Sequence, residues 1–372
     1  MRIALISDIH ANLEALTAVL ADIDRRIDTA AGDQIWNLGD IIGYGPDPVA
    51  CADLVASRCK WSLLGNHDYG VLYEPTNFNA VAEQAAYWTR AQFEAEGERD
   101  QATAVRRWEF LGKLRVRVSE GPFLCVHGTP RRPINEYLFP EDAQSSPSKM
   151  QSIFERIERS GASYCLVGHT HVPGVFTADG DFYPPKEMGD ATWTIDGKER
   201  LIINPGSVGQ PRDLDPRASY AIIEADTETG PDGKPVPKPR AVQFFRLEYD
   251  IASARAKIAR VAEDVADGRA VTRDDTGCLV QLMRLPGEPA GPWLERQIAE
   301  LEARRAQSKK GSELEILVQG RIAACRKLSE EIAARKDATT NDLRQMLRER
   351  DPLHRPEMER YNWLGARLAE GR

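Results

Sequence analysis

Short apolar runs alternate with stretches of helical spacing through the first 250 residues of the chain. IALIS at 3–7 has the length of a strand. It leads into Leu13, Leu16, Leu20, Ile23 and Ile27, whose separations of three and four residues put them on one face of a helix. Further runs of strand length are QIWNL at 34–38, KWSLL at 60–64, FLCV at 123–126, YCLV at 164–167 and RLIIN at 200–204. Strands alternating with helices predict an α/β fold with a sheet buried on both sides. SYAIIEA and AVQFFRL read as two more strands, and the Pro- and Gly-rich stretch 227–239 reads as an exposed hairpin loop.

Beyond Asp250 the character changes. Ala, Arg, Glu and Leu dominate with helical periodicity, and strand-like character is confined to CLVQLMRL at 278–285. A helix is predicted over 292–309, with Leu294, Ile298 and Leu301 on one face and Gly311 placed to end it. Ser312 caps the next helix, Glu315 completes a capping box, and Val318, Ile322, Cys325 and Ile332 continue the apolar stripe. Two shorter helices are expected over 339–350 and 356–370, separated by breaks at Asp351, Pro352 and Pro356. The chain therefore divides into residues 1–250 and a mostly α-helical C-terminal module, 251–372. A helical hairpin with one apolar stripe per helix must pack on something, so the module is expected to shape access to the rest of the chain or to build a homo-oligomer.

Charge adds a constraint on partners. The chain has 49 basic and 57 acidic residues, a net −8, which argues against a protein built to coat nucleic acid. The acidity sits in 1–250, with 26 basic against 37 acidic residues, while the remainder has 23 against 20. There, Arg326 and Lys327 are followed by Glu330 and Glu331, the pattern of a solvated helix face. The opening MRIALISD meets an Asp after a short apolar run and fits neither a secretory signal nor a membrane span, so a soluble cytoplasmic protein is expected. The six cysteines, Cys51, Cys59, Cys125, Cys165, Cys278 and Cys325, show no CxxC pairing and read as structural thiols.

The histidines carry the chemistry. Of six, five (His10, His67, His127, His169 and His171) follow an apolar strand-like run within four residues and stand near a Gly, Asp or Asn. Strand ends of an α/β sheet converge on one edge, so histidines dispersed over more than 160 residues can meet in one cleft. Asp8 and His10 in SDIH are two apart, and an extended backbone would point both the same way, as two ligands of one cation require. Alone, D-x-H is more often a polar strand end that caps a helix. Asp40 in LGD, Asn66, His67 and Asp68 in GNHD, His127 in VHG, and His169 with His171 in GHTH add further polar clusters, each only suggestive by itself. His354, in an Arg-rich turn, stands apart.

Taken together, D-x-H, G-D, G-N-H-D, H-G and G-H-x-H form one ordered set. In this the chain resembles the calcineurin-like metallophosphoesterases, whose five motifs it matches in order and in full over residues 1 to about 250. SDIHANLEAL, LGDIIGYGPDP, LLGNHD and INPGSVGQPRD are similar in particular to the small prokaryotic phosphodiesterase branch. The resemblance implies a sandwich of two central β-sheets flanked by helices, and a metal-dependent phosphodiesterase acting on a small phosphoester or nucleotide. It implies that Asp8, His10 and His171 hold one divalent ion, that Asn66, His127 and His169 hold a second, and that Asp40 bridges them. A carboxylate shared in this way lowers the repulsion between ions about 3.5–4 Å apart, and a hydroxide bridging them attacks phosphorus in line. His67, surplus to coordination, would protonate the leaving alkoxide. Related protein phosphatases orient this histidine with an Asp from a G-D-x-x-D-R-G motif; GDIIGYG lacks it, and Asp68 is the candidate here. Nitrogen and oxygen donors suit Mn, Fe, Zn, Co or Ni, with Mn expected because the family commonly works with it. Arg131, Arg132 and Arg212 are candidates to bind the phosphoryl oxygens, since Arg forks match them well.

Other readings stay open at this level: a phosphomonoesterase, a protein phosphatase or a dinucleoside polyphosphate hydrolase of the same superfamily. The absence of the D-R-G and R-G-N-H-E elements argues against the protein phosphatase. A non-catalytic scaffold would be expected to have lost metal ligands, and none is missing.

Overall fold

The computed structural model describes residues 1–73, 75, 78, 80–229 and 235–266, together with residues 295, 299 and 302. The strand expected at 278–285, the predicted helices from 292 onward (those three residues aside), His354, Cys278 and Cys325 lie outside the described residues. The chain divides into two compact units, residues 1–74 with 89–257, and residues 75–88 with 258–372. Both sheets belong to the first.

The run at 3–7 forms β1 (Arg2–Ile6), with Ile3 and Leu5 on one face in the main core and Ala4 and Ile6 buried on the other. The chain then enters α1 (Leu13–Arg26), where the Asn12 side chain accepts the Ala15 N–H as an N-cap. Next come β2 (Gln34–Asn37), α2 (Pro48–Arg58), β3 (Trp61–Ser62), α3 (Asn66–Leu72), α4 (Ala80–Arg99) and α5 (Gln101–Gly112). After them follow β4 (Arg117–Glu120), β5 (Phe123–Val126), α6 (Asp142–Ser145), α7 (Pro147–Arg159) and β6 (Tyr164–Leu166). The remainder is β7 (Gly174–Thr177), β8 (Phe182–Tyr183), β9 (Thr192–Thr194), β10 (Leu201–Asn204), β11 (Ala218–Thr229), β12 (Pro235–Leu247) and α8 (Ile251–Ala266).

The strands form two six-stranded sheets, β3-β2-β1-β11-β12-β9 and β4-β5-β6-β10-β7-β8. The periodicity predicted one sheet buried on both sides; there are two, as the family resemblance implied, packed through a shared core. Ile3, Leu5, Trp36, Ile223 and Phe244 of the first meet Phe123, Cys125, Leu166, Val175 and Ile203 of the second. The outer face of the second sheet, through Leu124, Val126, Cys165 and Ile202, is covered by Met150, Ile153 and Ile157 of α7. This two-faced burial explains why the strands read as continuous apolar runs. β1, β2 and β3 are mutually parallel, as are β5, β6 and β10, so the loops after them leave each sheet on one edge.

One boundary differs from expectation. The stretch 227–239 is not all loop: β11 runs to Thr229 and β12 begins at Pro235, with Thr229 opposite Pro235 and Thr227 opposite Pro237. Pro235, Pro237 and Pro239 take alternate positions beyond the reach of β9, which pairs with β12 only at Ala241–Gln243, so the N–H each lacks is not needed by a ladder. The thiols of Cys51, Cys59, Cys125 and Cys165 are free, and burial pushes each of them up from its ordinary pKa. Among the described residues no helix is long and apolar enough to cross a membrane.

Candidate metal centre

The loops after β1, β2, β3, β5, β6 and β10 are knit together by main-chain hydrogen bonds. Asp8, His10 and Ala11 donate to the carbonyls of Gly39, Asp40 and Ile41, each at 3.0 Å. Val208 and Gly209 donate to Ser7 and Asp8 at 3.0 Å, and Gly168 to His127 at 2.9 Å. Asn204, wholly buried, donates its amide to the Gly168 carbonyl and to Thr170 Oγ1, both at 2.9 Å. This lattice holds Asp8, His10, Asp40, His169 and His171 in left-handed backbone, with φ of 53°, 47°, 53°, 68° and 62°. Asp8 and His10 therefore reach the same site by a left-handed turn and not by the extended backbone expected. Such conformations cost roughly 1–2 kcal/mol per residue and persist only where surrounding bonds over-determine them.

The lattice brings together every residue expected to hold metal. One donor atom from each of Asp8, His10, Asp40 and His171 lies within 4.8 Å of the others, and so does one from each of Asp40, His127 and His169. His10 Nε2 and His171 Nε2 are 3.1 Å apart, and His171 Nε2 is 3.2 Å from Asp8 Oδ1. Asp40 Oδ2 is approached by His10 Nε2 at 3.7 Å and by His127 Nε2 at 3.3 Å. Asn66 Oδ1 is 3.3 Å from His127 Nε2. All seven side chains are buried.

The tautomers are set from behind. His127 Nδ1–H donates to the Leu38 carbonyl at 2.8 Å and His171 Nδ1–H to the Gln210 carbonyl at 2.5 Å, which leaves each Nε2 facing the cluster. Neither backbone acceptor could be anticipated from sequence, although Gln210 lies in the INPGSVGQPRD segment. His169 is stacked by Tyr137, ring centroids 3.7 Å apart and 18° from parallel, and Tyr137 in turn by Phe139. No spacing signal marked these two aromatics.

The electrostatics follow from burial. Desolvation alone would raise Asp8 and Asp40, but His171 and His127 beside Asp8, and His127, His67 and His10 beside Asp40, hold both carboxyls below their usual range. Burial lowers His10, His169 and His171, so these rings stay neutral with lone pairs to offer. His127 is the exception: burial opposes its charge, but Asp40, Asp8 and the Leu38 carbonyl push it up to about 9. Two ring nitrogens, His10 Nδ1 and His169 Nε2, are buried with no hydrogen-bond partner among the described residues. Ionised carboxylates, the neutral imidazoles of His10, His169 and His171, an amide oxygen and the orphaned His169 nitrogen in one pocket fit divalent cations with a taste for N and O donors.

The other expected site residues fall in different places. His67, buried, donates its backbone N–H to Asp40 Oδ1 at 2.8 Å, and its ring meets the His10 ring edge-on at 4.9 Å. Asp68, put forward to orient His67, instead accepts four backbone N–H bonds. Asp40 and Gly65 donate to one oxygen at 2.8 and 3.0 Å, Ile41 and Ile42 to the other at 3.0 and 3.2 Å. A carboxylate has about four acceptor positions, so Asp68 has no capacity left for the ring and serves the loop that carries Asp40. Burial and the Asp40 charge push Asp68 up to about 7, against the pull of the backbone donors. Arg212, held by Gln210 Oε1 at 2.7 Å, is close enough to disfavour charge on His67, His169 and His171. Arg131 pairs with Glu136 at 3.5 Å, and Arg132 is exposed.

Comparison with known proteins agrees with this geometry. Residues 1–228 match the calcineurin-like phosphoesterase superfamily domain. A protein of Methanocaldococcus jannaschii without an assigned function is 34% identical over 265 residues, covering 69% of this chain and 92% of its own. The crystal structure of a metallophosphoesterase from Sphaerobacter thermophilus is 39% identical, with a TM-score of 0.53, and covers 70% of this chain and 94% of its own. Fold and site together define a metal-dependent hydrolase of phosphoester bonds. The chain belongs to the calcineurin-like phosphoesterase superfamily.

Proposed function

We propose that the protein is a phosphodiesterase acting on small phosphodiesters or nucleotides, with two manganese ions as its working metals. The observation that carries this reading is that Asp40 belongs to both donor groups, as a carboxylate between two cations would. Asp8, His10 and His171 would hold one ion and Asn66, His127 and His169 the other. When bound, the two cations supply Lewis acidity, acidifying water and neutralising phosphoryl oxygens. Asp8 and Asp40, ionised in the buried pocket, offset the repulsion between them. His67 stands beside this cluster; burial and then Arg212 lower it to about 4, so it would take up its proton against the negative charge of a bound phosphoester and give it to the leaving alkoxide as the P–O bond breaks. Arg212, oriented by Gln210, is the arginine best supported as a phosphoryl ligand; Arg131 and Arg132 would act further out. The choice of a diester rests on the segments SDIHANLEAL, LGDIIGYGPDP and INPGSVGQPRD. Residues 251–372 are read as a separate module that shapes access or assembles copies of the chain.

The test is a panel of mono- and diesters, cyclic nucleotides and dinucleoside polyphosphates, each assayed with Mn, Fe, Zn, Co and Ni. Diesters turning over fastest with Mn is the expected result. Monoesters turning over tenfold faster than every diester, or rates unaffected by chelation, would overturn the proposal.

A further inference from the structure

The loop between β2 and α2 meets the His67 ring with two consecutive residues. Gly43 has φ of +88°, and a Cβ built there would stand 2.7 Å from His67 Nδ1 and 3.0 Å from His67 Cβ. The imidazole therefore lies against bare main chain, where no side chain fits. Tyr44, half-buried and left-handed at φ 64°, places its ring 4.2 Å from the His67 ring at 47°, and 5.0 Å from the His10 ring. His10 meets the same imidazole edge-on. The loop is itself pinned: the Gly45 N–H donates to the His10 carbonyl at 3.0 Å and the Asp47 N–H to the Ala11 carbonyl at 3.1 Å. A Cβ at Gly45 would collide with that same His10 carbonyl, so the loop reaches this close approach only with glycine there.

These contacts bound the ring on three sides. The χ2 torsion of histidine is broad and does not set the ring plane by itself, so something external must. The carboxylate next to it in sequence, Asp68, is filled by backbone donors.

We propose that Tyr44 is a positioning residue that fixes the plane of the His67 ring by aromatic packing against the Gly43 backbone. The inference rests on the reading of His67 as general acid, and it assigns the ring of Tyr44, not its hydroxyl, the working part. A displacement of about 1 Å in a proton donor can cost about 10²-fold in rate. Tyr44→Ala is thus expected to lower kcat by about 10- to 100-fold on alkyl diesters and by less than about threefold on nitrophenyl esters, which need little help in leaving. Bound metal is expected to stay at two ions, and Tyr44→Phe, which keeps the ring, to recover most of the rate.

His67→Ala is measured in parallel. If His67→Ala shows a loss graded by leaving group and Tyr44→Ala does not, the positioning role is wrong and the acid reading stands. If His67→Ala itself is flat across leaving groups, the acid reading falls. The packing is tested separately, on the zinc-loaded protein, by the carbon and proton resonances of the His67 ring. Shifted and broadened signals in Tyr44→Ala, with wild-type signals in Tyr44→Phe, are expected; signals unchanged in Tyr44→Ala would overturn the proposal whatever the kinetics.

Discussion

Asp40 works through both oxygens: Oδ1 accepts the His67 N–H while Oδ2 lies between His10 and His127. Asp40→Asn preserves the shape and removes the charge. It is expected to lose bound metal, read by mass spectrometry of the purified protein, and to lower kcat/KM by more than about 100-fold, the upper range for disturbing a mere supporting residue. Gly65 faces that carboxylate directly, and a Cβ there would collide with it. Gly65→Ala is expected to cost about 1–3 kcal/mol in denaturant unfolding and to weaken metal binding, since the carboxylate must move. A different residue tests charge away from the site. Burial alone would raise Asp22, but bonds from Arg26, Tyr220 and Arg25 lower it beneath its ordinary 3.8. A depressed carboxyl contributes stability that is present above the unfolded pKa and lost as pH falls through the folded one. Asp22→Asn should therefore be less stable than the parent at neutral pH, with the gap closing below about pH 4 in pH-dependent unfolding curves. The residues that meet in the candidate site could be picked out because each is a polar group abutting an apolar run, and that pattern depends only on chain order. The reason given for Asp8 and His10 was not, because their left-handed backbone is imposed by carbonyls of the β2 loop, and no spacing rule encodes a partner 30 residues away.

Most elements buried on both faces announced themselves. FLCV was read to the residue as β5, and IALIS, QIWNL, YCLV and RLIIN to within one residue at either end. Strands β4, β8 and β9 were missed because RVSE, FY and TWT are short and only partly buried, with no apolar run to betray them. β7 was missed although it is wholly buried, because GVFT offers only two consecutive large apolar residues between a Gly and a Thr. The hairpin of β11 and β12 was cut short by reading its prolines as loop, when their alternate spacing suits a strand with one open side. At this scale α8 offers a test. Lys257 lies 2.7 Å from Glu14 Oε1 and 2.9 Å from Asp47 Oδ2, bringing one ammonium to the first turn of α1 and the residue before α2. Lys257→Gln is expected to lower stability by about 1 kcal/mol, more than a solvated surface pair would, because both carboxylates are largely covered. Urea unfolding of the two proteins at low and high salt measures it, and the difference should shrink in salt.

Across the molecule, the candidate centre brings together Asp8 and Asp40 from loops of the first sheet and His127 and His169 from loops of the second, with Asn66, the first residue of α3, beside His127. The His169 N–H already donates to the Asp8 carboxylate at 3.1 Å, and cations would add bonds across the same seam. A ligand at 100 times its Kd stabilises the folded state by about 2.7 kcal/mol. Chelation is accordingly expected to lower the melting temperature by about 5–10 °C, with recovery on adding Mn, in a calorimetric scan. An unchanged melting temperature would mean that the cations do not bridge the sheets. The two-sheet plan itself was reached through motif resemblance and not through periodicity, which reports how a strand is buried but not which sheet it joins. The tie at Lys257 bears on how such a gene can change length. Residues inserted between β12 and α8 would carry Lys257 away from Glu14 and Asp47 and leave two covered carboxylates without their counterion beside the loop of Tyr44. Growth or loss in this lineage is therefore expected to fall beyond α8, with the spacing from Leu247 to Lys257 inherited as a fixed measure.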